Sequence, residues 1–209
     1  MKLYCFGESG NAYKAALTLE LSGADWQPEF VDFFNGATRS PEFREINVMG
    51  EVPVLVDGDI VLTQSGVIQD YISSKTGQLG GQSAAERREV LRWMFFDNHK
   101  VSGIAGPLRF NENFLPAARR SAEVNAFLLM RLSSALKVLE THMETRDWVA
   151  TDRITIADIA LCGYLYYPEP YGFDRADYPA VDAWLIRLSE VPGWKHPYDL
   201  MPGSPADRA

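Results

Sequence analysis

The sequence predicts an α/β N-terminal domain followed by an all-α C-terminal domain. Strand and helix signals alternate over residues 1–76, a glycine-rich stretch follows at 77–83, and the β pattern does not return over 84–209. A chain of 209 residues is long enough to build two small cores. We therefore expect an α/β domain at 1–76, a linker at 77–83 and a helical domain at 84–209.

The first domain is predicted to have the element order β-α-β-α-β-β-α. Short β-favouring runs at 2–6 and 29–33 flank a helix at 11–21, in which apolar residues recur at helical spacing. Pro28 stands just before the second run, which suits an edge strand or the start of a strand. Because such βαβ units cross right-handed, we expect the two strands to be parallel.

A hairpin and two further helices complete this domain. The Asp57-Gly58 step lies between apolar runs at 52–56 and 60–62, a pattern typical of a β-hairpin. Ser40 and Pro41 suit the N-cap and first turn of a short helix over 41–46. A third helix is expected over 64–74.

The second domain shows helical periodicity. Within it, Thr155 and Asp158 have the spacing of a capping box, which is a structural role. The short polar tail from Pro202 onward is expected to be disordered. The four predicted helices span 84–103, 116–144, 154–167 and 179–190.

Composition argues against several kinds of partner. The formal net charge of −8, without a Lys/Arg run, argues against nucleic acid. No apolar run approaches the ~18 residues of a membrane helix, so we expect no membrane partner and a cytoplasmic location. Cys5 and Cys162 form no C-x-x-C pair, and the three histidines lack metal-ligand spacing, so we expect no dithiol site and no metal.

Three positions in the first domain could hold an anionic ligand. Ser9 lies where a strand gives way to a helix, and it could cap that helix or donate a hydrogen bond to a thiolate there. Pro53, after Val52, could sit in an edge strand in trans, or in cis with the Val52 backbone free for a ligand. Gln64 and Ser65 precede a helix, where Ser65 could cap or help to hold a carboxylate.

Taken together, these signals resemble the glutathione transferase family, in particular its bacterial, serine-type, theta-, zeta- or nu-like members. The resemblance spans nearly the whole chain. The matching segments are Ser9-Gly10-Asn11-Ala12-Tyr13-Lys14, Asn47-Val48-Met49-Gly50-Glu51-Val52-Pro53-Val54-Leu55, Leu62-Thr63-Gln64-Ser65-Gly66-Val67-Ile68 and Thr155-Ile156-Ala157-Asp158-Ile159-Ala160.

The resemblance implies a thioredoxin-like first domain and a catalytic role for Ser9, which would stabilise the glutathione thiolate, with Asn11 as second candidate. It also implies a homodimer and a small hydrophobic electrophile as second substrate, and hence a role in detoxification. Tyr4 and Tyr13 are expected to pack in the core instead. The glutathione-binding residues implied by the resemblance are Val52 and Pro53 for the cysteinyl backbone, Gln64 and Ser65 for the γ-glutamyl end, and Thr38 and Arg39 for the glycine carboxylate.

The sequence departs from the family pattern at three positions. Thr38 stands where related members often carry His or Lys, Gln64 replaces the commoner Glu, and Val48 replaces the commoner Pro. Two other functions stay open: a non-catalytic relative that serves as a binding or scaffold module, and a glutathione-dependent disulfide reductase or peroxidase.

Overall fold

The computed structural model describes residues 1–203, which group into two units. The first comprises Met1–Gly80 together with the segment that begins at Val191, and the second comprises Gly81–Glu190. The domain boundaries given above remain predictions. The packing departs from them in one respect, because residues 191–203 group with the first unit.

A four-stranded mixed sheet forms the centre of the first unit. Its strands are β1 (Lys2–Cys5), β2 (Gln27–Phe30), β3 (Val54–Asp57) and β4 (Ile60–Thr63). The spatial order is β2-β1-β3-β4, with the β1–β2 pair parallel and the other two pairs antiparallel, as the βαβ and hairpin signals predict. Pro28 lies in the edge strand β2, which begins and ends earlier than predicted because the chain turns over residues 33–36.

Three helices pack with this sheet. They are α1 (Gly10–Leu21), α2 (Pro41–Ile46) and α3 (Ser65–Thr76). In α2 the predicted Ser40 cap is present, since its Oγ accepts a hydrogen bond from the Phe43 N–H at 3.1 Å. Core residues of α1, β1 and β3, such as Leu17, Leu3 and Leu55, are completely buried.

The described part of the second unit is helical, so the predicted fold class, a thioredoxin-like domain with a helical second domain, is confirmed. A π-helical turn at Asp97–Val101 joins the first two of its helices, and residues 117–119 form a 3₁₀ turn. The helices are α4 (Ala84–Phe96), α5 (Ser102–Asn113), α6 (Ala122–Met143), α7 (Ile156–Cys162) and α8 (Pro179–Ser189).

Three predicted boundaries in this unit are wrong. The helix expected to run to residue 167 ends at Cys162, where the chain turns. The helix expected to stop at Gly103 runs on to Asn113, with Pro107 inside it. Gly103 is a packing position, because a Cβ there would lie 2.5 Å from the Asn98 carbonyl oxygen. The helix expected to begin at Pro116 begins at Ala122, where the Ser121 hydroxyl accepts from the Val124 N–H at 3.3 Å.

The capping box of α7 is confirmed, and its acid is buried. The Asp158 carboxylate accepts hydrogen bonds from the Thr155 N–H at 2.9 Å, the Val149 N–H at 2.8 Å and the Trp184 indole at 3.1 Å. Burial raises the pKa of Asp158 to about 6, although these hydrogen bonds act in the opposite direction. The residue joins three parts of the second unit.

Residues 191–203 return to the first unit. They include a single-turn helix, α9 (Pro197–Leu200), and the Pro202 carbonyl accepts a hydrogen bond from the Gly7 N–H at 2.7 Å. The expectation of disorder from Pro202 onward is therefore wrong for Pro202 and Gly203, and its remainder, 204–209, lies outside the described residues. Within residues 1–203, none of the helices has the length and apolar character needed to cross a bilayer.

Candidate functional site

The turn between β1 and α1 presents Ser9 as the N-cap of α1. Its Oγ accepts a hydrogen bond from the Ala12 N–H at 3.2 Å, and the residue is only 8% exposed. The capping role is therefore real. A hydroxyl accepts through its lone pairs and donates through its proton, and no described residue accepts the proton of Ser9. The cap holds the side chain in place and leaves this proton available to a ligand.

Asn11 contributes an unsatisfied polar atom to the first turn of α1. Its Oδ1 is buried and has no hydrogen-bond partner among residues 1–203. Because a buried polar atom without a partner costs free energy, such a group is explained by a water or ligand at that point. Asn11 and Ser9 therefore supply two polar side chains to the same turn.

The two nearby tyrosines serve packing, as expected. Tyr13 is completely buried, and its hydroxyl donates to the Lys195 carbonyl at 2.9 Å. Tyr4 is half-buried and packs edge-on against Phe43, with ring centroids 6.4 Å apart. Both rings belong to the core of the first unit.

The peptide bond between Val52 and Pro53 is cis, which decides between the two conformations left open by the sequence. Residue 52 precedes β3, and its backbone N–H and C=O form no hydrogen bond with any described residue. A residue at the start of a strand with both backbone groups unpaired can pair with an extended peptide ligand, as a strand edge does.

The loop before this bond is organised by Asn47, a residue for which the sequence predicted no role. Its Nδ2 donates to the Glu51 carbonyl at 2.8 Å, while its Oδ1 accepts from the Met49 N–H at 3.1 Å. Gly50 has φ 64°, and a Cβ there would lie 2.8 Å from the Thr38 carbonyl oxygen. The sequence did contain a signal for this loop, because Asn followed three residues later by Gly is a turn pattern.

The N-terminus of α3 lacks a side-chain cap. Gln64 occupies the N-cap position with φ 68° and ψ 117°, unusual for a residue other than glycine, and its Nε2 lies 3.1 Å from the Met49 sulfur. Ser65 is the first helical residue, so the capping role left open for it is wrong. No described acceptor meets the N–H groups of residues 65–67, and such groups together with the helix dipole favour an anion.

The two residues expected to meet a glycine carboxylate differ in exposure. Thr38 is 3% exposed, whereas Arg39 is exposed and has no acid partner in the described part of the chain. Both belong to a short 3₁₀ turn, Ala37–Arg39. Arg39 is therefore the better placed of the two to contact a carboxylate.

The chain's own thiols are unsuited to catalysis. Cys5 and Cys162 are both buried, and desolvation raises the pKa of Cys5 to about 12. In the part of the chain that the structure describes, no cluster of His, Cys, Asp and Glu could hold a metal ion. A reactive sulfur at this site has to come from a ligand.

Comparison with known proteins matches the glutathione S-transferase N-terminal domain over residues 1–74 and the C-terminal domain over residues 107–192. Glutathione S-transferase 3 of Zea mays is 34% identical over 166 residues, which is 76% of this chain and 73% of the relative. The disulfide-bond oxidoreductase YfcG of Escherichia coli is 29% identical over 195 residues, or 90% of this chain and 89% of the relative.

A solved structure extends the likeness to three dimensions. A glutathione transferase from Burkholderia graminis, with two glutathione molecules bound per subunit, superimposes with a TM-score of 0.83 at 28% identity. The match covers 92% of this chain and 84% of that one. The chain therefore belongs to the glutathione S-transferase family.

Proposed function

We propose that this chain is a glutathione transferase that holds the glutathione thiolate beside Ser9 for attack on a small hydrophobic electrophile. The observation that carries the proposal is the Ser9 hydroxyl, which is fixed by its bond to Ala12 and keeps its own proton for a ligand. Ser9 stabilises the sulfur anion and does not itself attack. Asn11 adds a second polar group at the same turn.

The magnitudes are sufficient for this role. A free thiol with pKa ~8.5 is only a few per cent ionised at neutral pH, and lowering that pKa by ~2 units takes ~2.7 kcal/mol. A hydrogen bond to a charged group contributes ~1.5–3 kcal/mol, and a helix N-terminus adds ~0.3–1 kcal/mol. The Ser9 hydroxyl and the start of α1 together reach this range without a second base.

The rest of the tripeptide would use the features around Ser9. The free backbone of Val52, held before cis-Pro53, would pair with the cysteinyl unit. The uncapped start of α3, with Gln64 and Ser65, would receive the γ-glutamyl end. Arg39 would meet the glycine carboxylate, and Thr38 would shape that turn through its backbone.

Calorimetry with glutathione tests the proposal directly. We expect binding to the wild-type chain, and thiolate absorbance of the complex at a pH where free glutathione is protonated. S-methylglutathione is the matched control, because it keeps every contact except the ionisable sulfur. Binding of neither compound would overturn the proposal and favour a non-catalytic scaffold.

A second candidate function is the reduction of disulfides by glutathione. It is favoured by the similarity to the E. coli oxidoreductase and by the unsatisfied Asn11 oxygen. Because Cys5 and Cys162 are buried, both electrons would come from glutathione. Two molecules would be oxidised to glutathione disulfide while one substrate disulfide is reduced to two thiols.

Parallel assays separate the two functions. An aryl halide reports conjugation, a mixed disulfide reports reduction, and a hydroperoxide reports peroxidase activity. Turnover of the disulfide alone would replace the transferase proposal by the reductase, whereas turnover of the aryl halide supports the transferase.

We also propose that the chain forms a homodimer. Apolar side chains are exposed at spacings of three or four residues on α4, at Leu91 (44%) and Phe95 (70%), and on α6, at Phe127 (53%) and Met130 (58%). Exposed apolar patches of this kind mark association surfaces. Sedimentation should give twice the chain mass, and Phe95→Lys should reduce it. A monomer at micromolar concentration would contradict the proposal.

A further inference from the structure

The segment formed by residues 191–203, here named the C-terminal strap, runs along α1 towards the Ser9 turn. At the far end of α1, the Lys195 ammonium pairs with the Glu20 carboxylate at 2.7 Å. At the near end, the Pro202 carbonyl accepts from the Gly7 N–H at 2.7 Å. The strap therefore extends over the length of α1 and ends at the turn that carries Ser9.

The strap is buried close to its contact with Gly7. Leu200 and Met201 are 8% and 3% exposed. Gly203 has φ 80°, and a Cβ on it would lie 2.3 Å from the Phe30 ring. The positive φ favours glycine at that position, and the Phe30 ring of β2 lies directly against it.

Two strap carbonyls bracket Ser9. The Pro202 carbonyl accepts from the N–H of Gly7, two residues before Ser9. The Lys195 carbonyl accepts a hydrogen bond of 2.9 Å from the hydroxyl of Tyr13, which lies four residues after Ser9. The Tyr13 N–H in turn donates to the Ser9 carbonyl at 2.9 Å. Residues on both sides of Ser9 are thus tied to the strap.

We propose that the C-terminal strap is a positioning element for the sulfur-binding turn, and that the Pro202 carbonyl orients the Ser9 hydroxyl through Gly7. The inference rests on the proposed function of Ser9. A hydroxyl gives its full stabilisation to a thiolate only when its direction is set before the ligand arrives. The Ala12 bond fixes the side chain, and the strap fixes the backbone that carries it.

Matched truncations test the inference. A chain that ends at Gly203 keeps the Pro202 carbonyl in its peptide bond, whereas a chain that ends at Met201 lacks it. Pro202→Ala in the full chain keeps the carbonyl and removes only the ring. Gly203→Val, which forces a branched side chain into a positive φ against Phe30, displaces the carbonyl without shortening the chain.

Two readouts are measured on each variant. The first is hydrogen exchange of the Gly7 amide in the ligand-free protein, which we expect to rise about tenfold when the carbonyl is lost or displaced. The second is the pH profile of conjugation. Loss of one oriented hydrogen bond should lower kcat at pH 6.5 about fivefold and shift the profile upward, with KM for glutathione changed less than twofold.

The outcomes are distinct. The proposal is supported if the Gly203-ended chain and Pro202→Ala behave like wild type. It also requires that the Met201-ended chain and Gly203→Val show both the faster Gly7 exchange and the shifted pH profile. Unchanged exchange and pH profile in the Met201-ended chain would overturn it, and so would full loss already in the Gly203-ended chain. If the complete chain binds no glutathione, the proposed function fails, and Gly7 exchange alone decides whether the strap holds the turn.

Discussion

The N-termini of α1 and α3 make different use of the same helical geometry. At α1 the Ser9 hydroxyl satisfies the Ala12 N–H, whereas at α3 Gln64 supplies no side-chain cap and has φ 68°. At the capped end one N–H group is occupied, and the capping residue offers a hydroxyl proton. An uncapped end offers several N–H groups at once, which suits a carboxylate. Under the proposed function, the two ends would therefore receive different anionic groups of one ligand.

The largest expected effect comes from breaking the capped end. Ser9→Ala should lower kcat/KM about 50-fold, because a hydrogen bond to a charged sulfur contributes ~1.5–3 kcal/mol. Steady-state kinetics measure the loss. The control is Ser121→Ala, which removes an equivalent cap from α6. Ser121→Ala should cost ~1 kcal/mol of stability and leave kcat/KM unchanged, and equal activity losses in the two variants would reject a chemical role for Ser9.

At the uncapped end, we expect a binding effect without a chemical one. Ser65→Ala should raise KM for glutathione about tenfold and leave kcat unchanged, because the lost bond to a carboxylate is present in both ground and transition states. Ser74→Ala, an exposed position of the same helix, serves as control. A fall in kcat with unchanged KM would contradict the assignment of Ser65 to the γ-glutamyl end.

Arg39 should contribute by charge at the other end of the ligand. Arg39→Gln is expected to raise KM about fivefold in low salt, and the difference from wild type should shrink as ionic strength rises, since exposed charges are screened. Arg44→Gln removes a nearby exposed charge and should have no such effect. KM values that do not depend on salt in the wild type and in Arg39→Gln would exclude a charge contact at Arg39.

Local signals predicted the first unit better than the second. Ser40 and Pro41 placed α2 to the residue, and the Asp-Gly step placed the hairpin, because these residues determine backbone geometry on their own. In the second unit, Gly103 and Pro107 are helix-breaking types held inside a helix by a π-helical turn and tertiary packing. Sequence periodicity does not contain that packing information.

The sequence predicted where the candidate site lies better than it predicted the conformation and exposure of its residues. Helix starts and a proline after Val52 marked places where the structure presents polar groups without partners among the described residues. The cis bond, the missing cap at α3, and the contrast between buried Thr38 and exposed Arg39 all depend on contacts far apart in sequence. The same holds for Pro202, whose partner Gly7 lies at the opposite end of the chain.

Relieving the strained N-cap should separate stability from binding. Gln64→Gly places the residue that tolerates positive φ at φ 68°, so the free energy of unfolding should rise by about 1 kcal/mol in urea titrations. The same change removes the Gln64 side chain and should weaken glutathione binding measured by calorimetry. Gln78→Gly, at an exposed position after α3, is the control. It should neither raise the free energy of unfolding nor weaken glutathione binding. Increased stability with unchanged affinity would show that Gln64 does not contact the ligand.

The smallest effect concerns how α3 is attached to the hairpin. The Asp57 carboxylate accepts from the Tyr71 hydroxyl at 2.6 Å and pairs with Lys75, and hydrogen bonds from Lys75 and then Tyr71 lower the pKa of Asp57. A carboxyl with a lowered folded-state pKa stabilises the fold above its unfolded pKa of ~3.9, and this contribution is lost as pH falls through the lower folded value. Asp57→Asn should therefore lower Tm by about 2 °C at pH 7, and the difference should shrink as pH falls below the unfolded pKa of ~3.9. Asp59→Asn is the matched control, since Asp59 lies on the other side of Gly58 in the same turn. An equal, pH-dependent loss of Tm in that variant would mean that net charge is responsible and not the contact between Asp57 and α3.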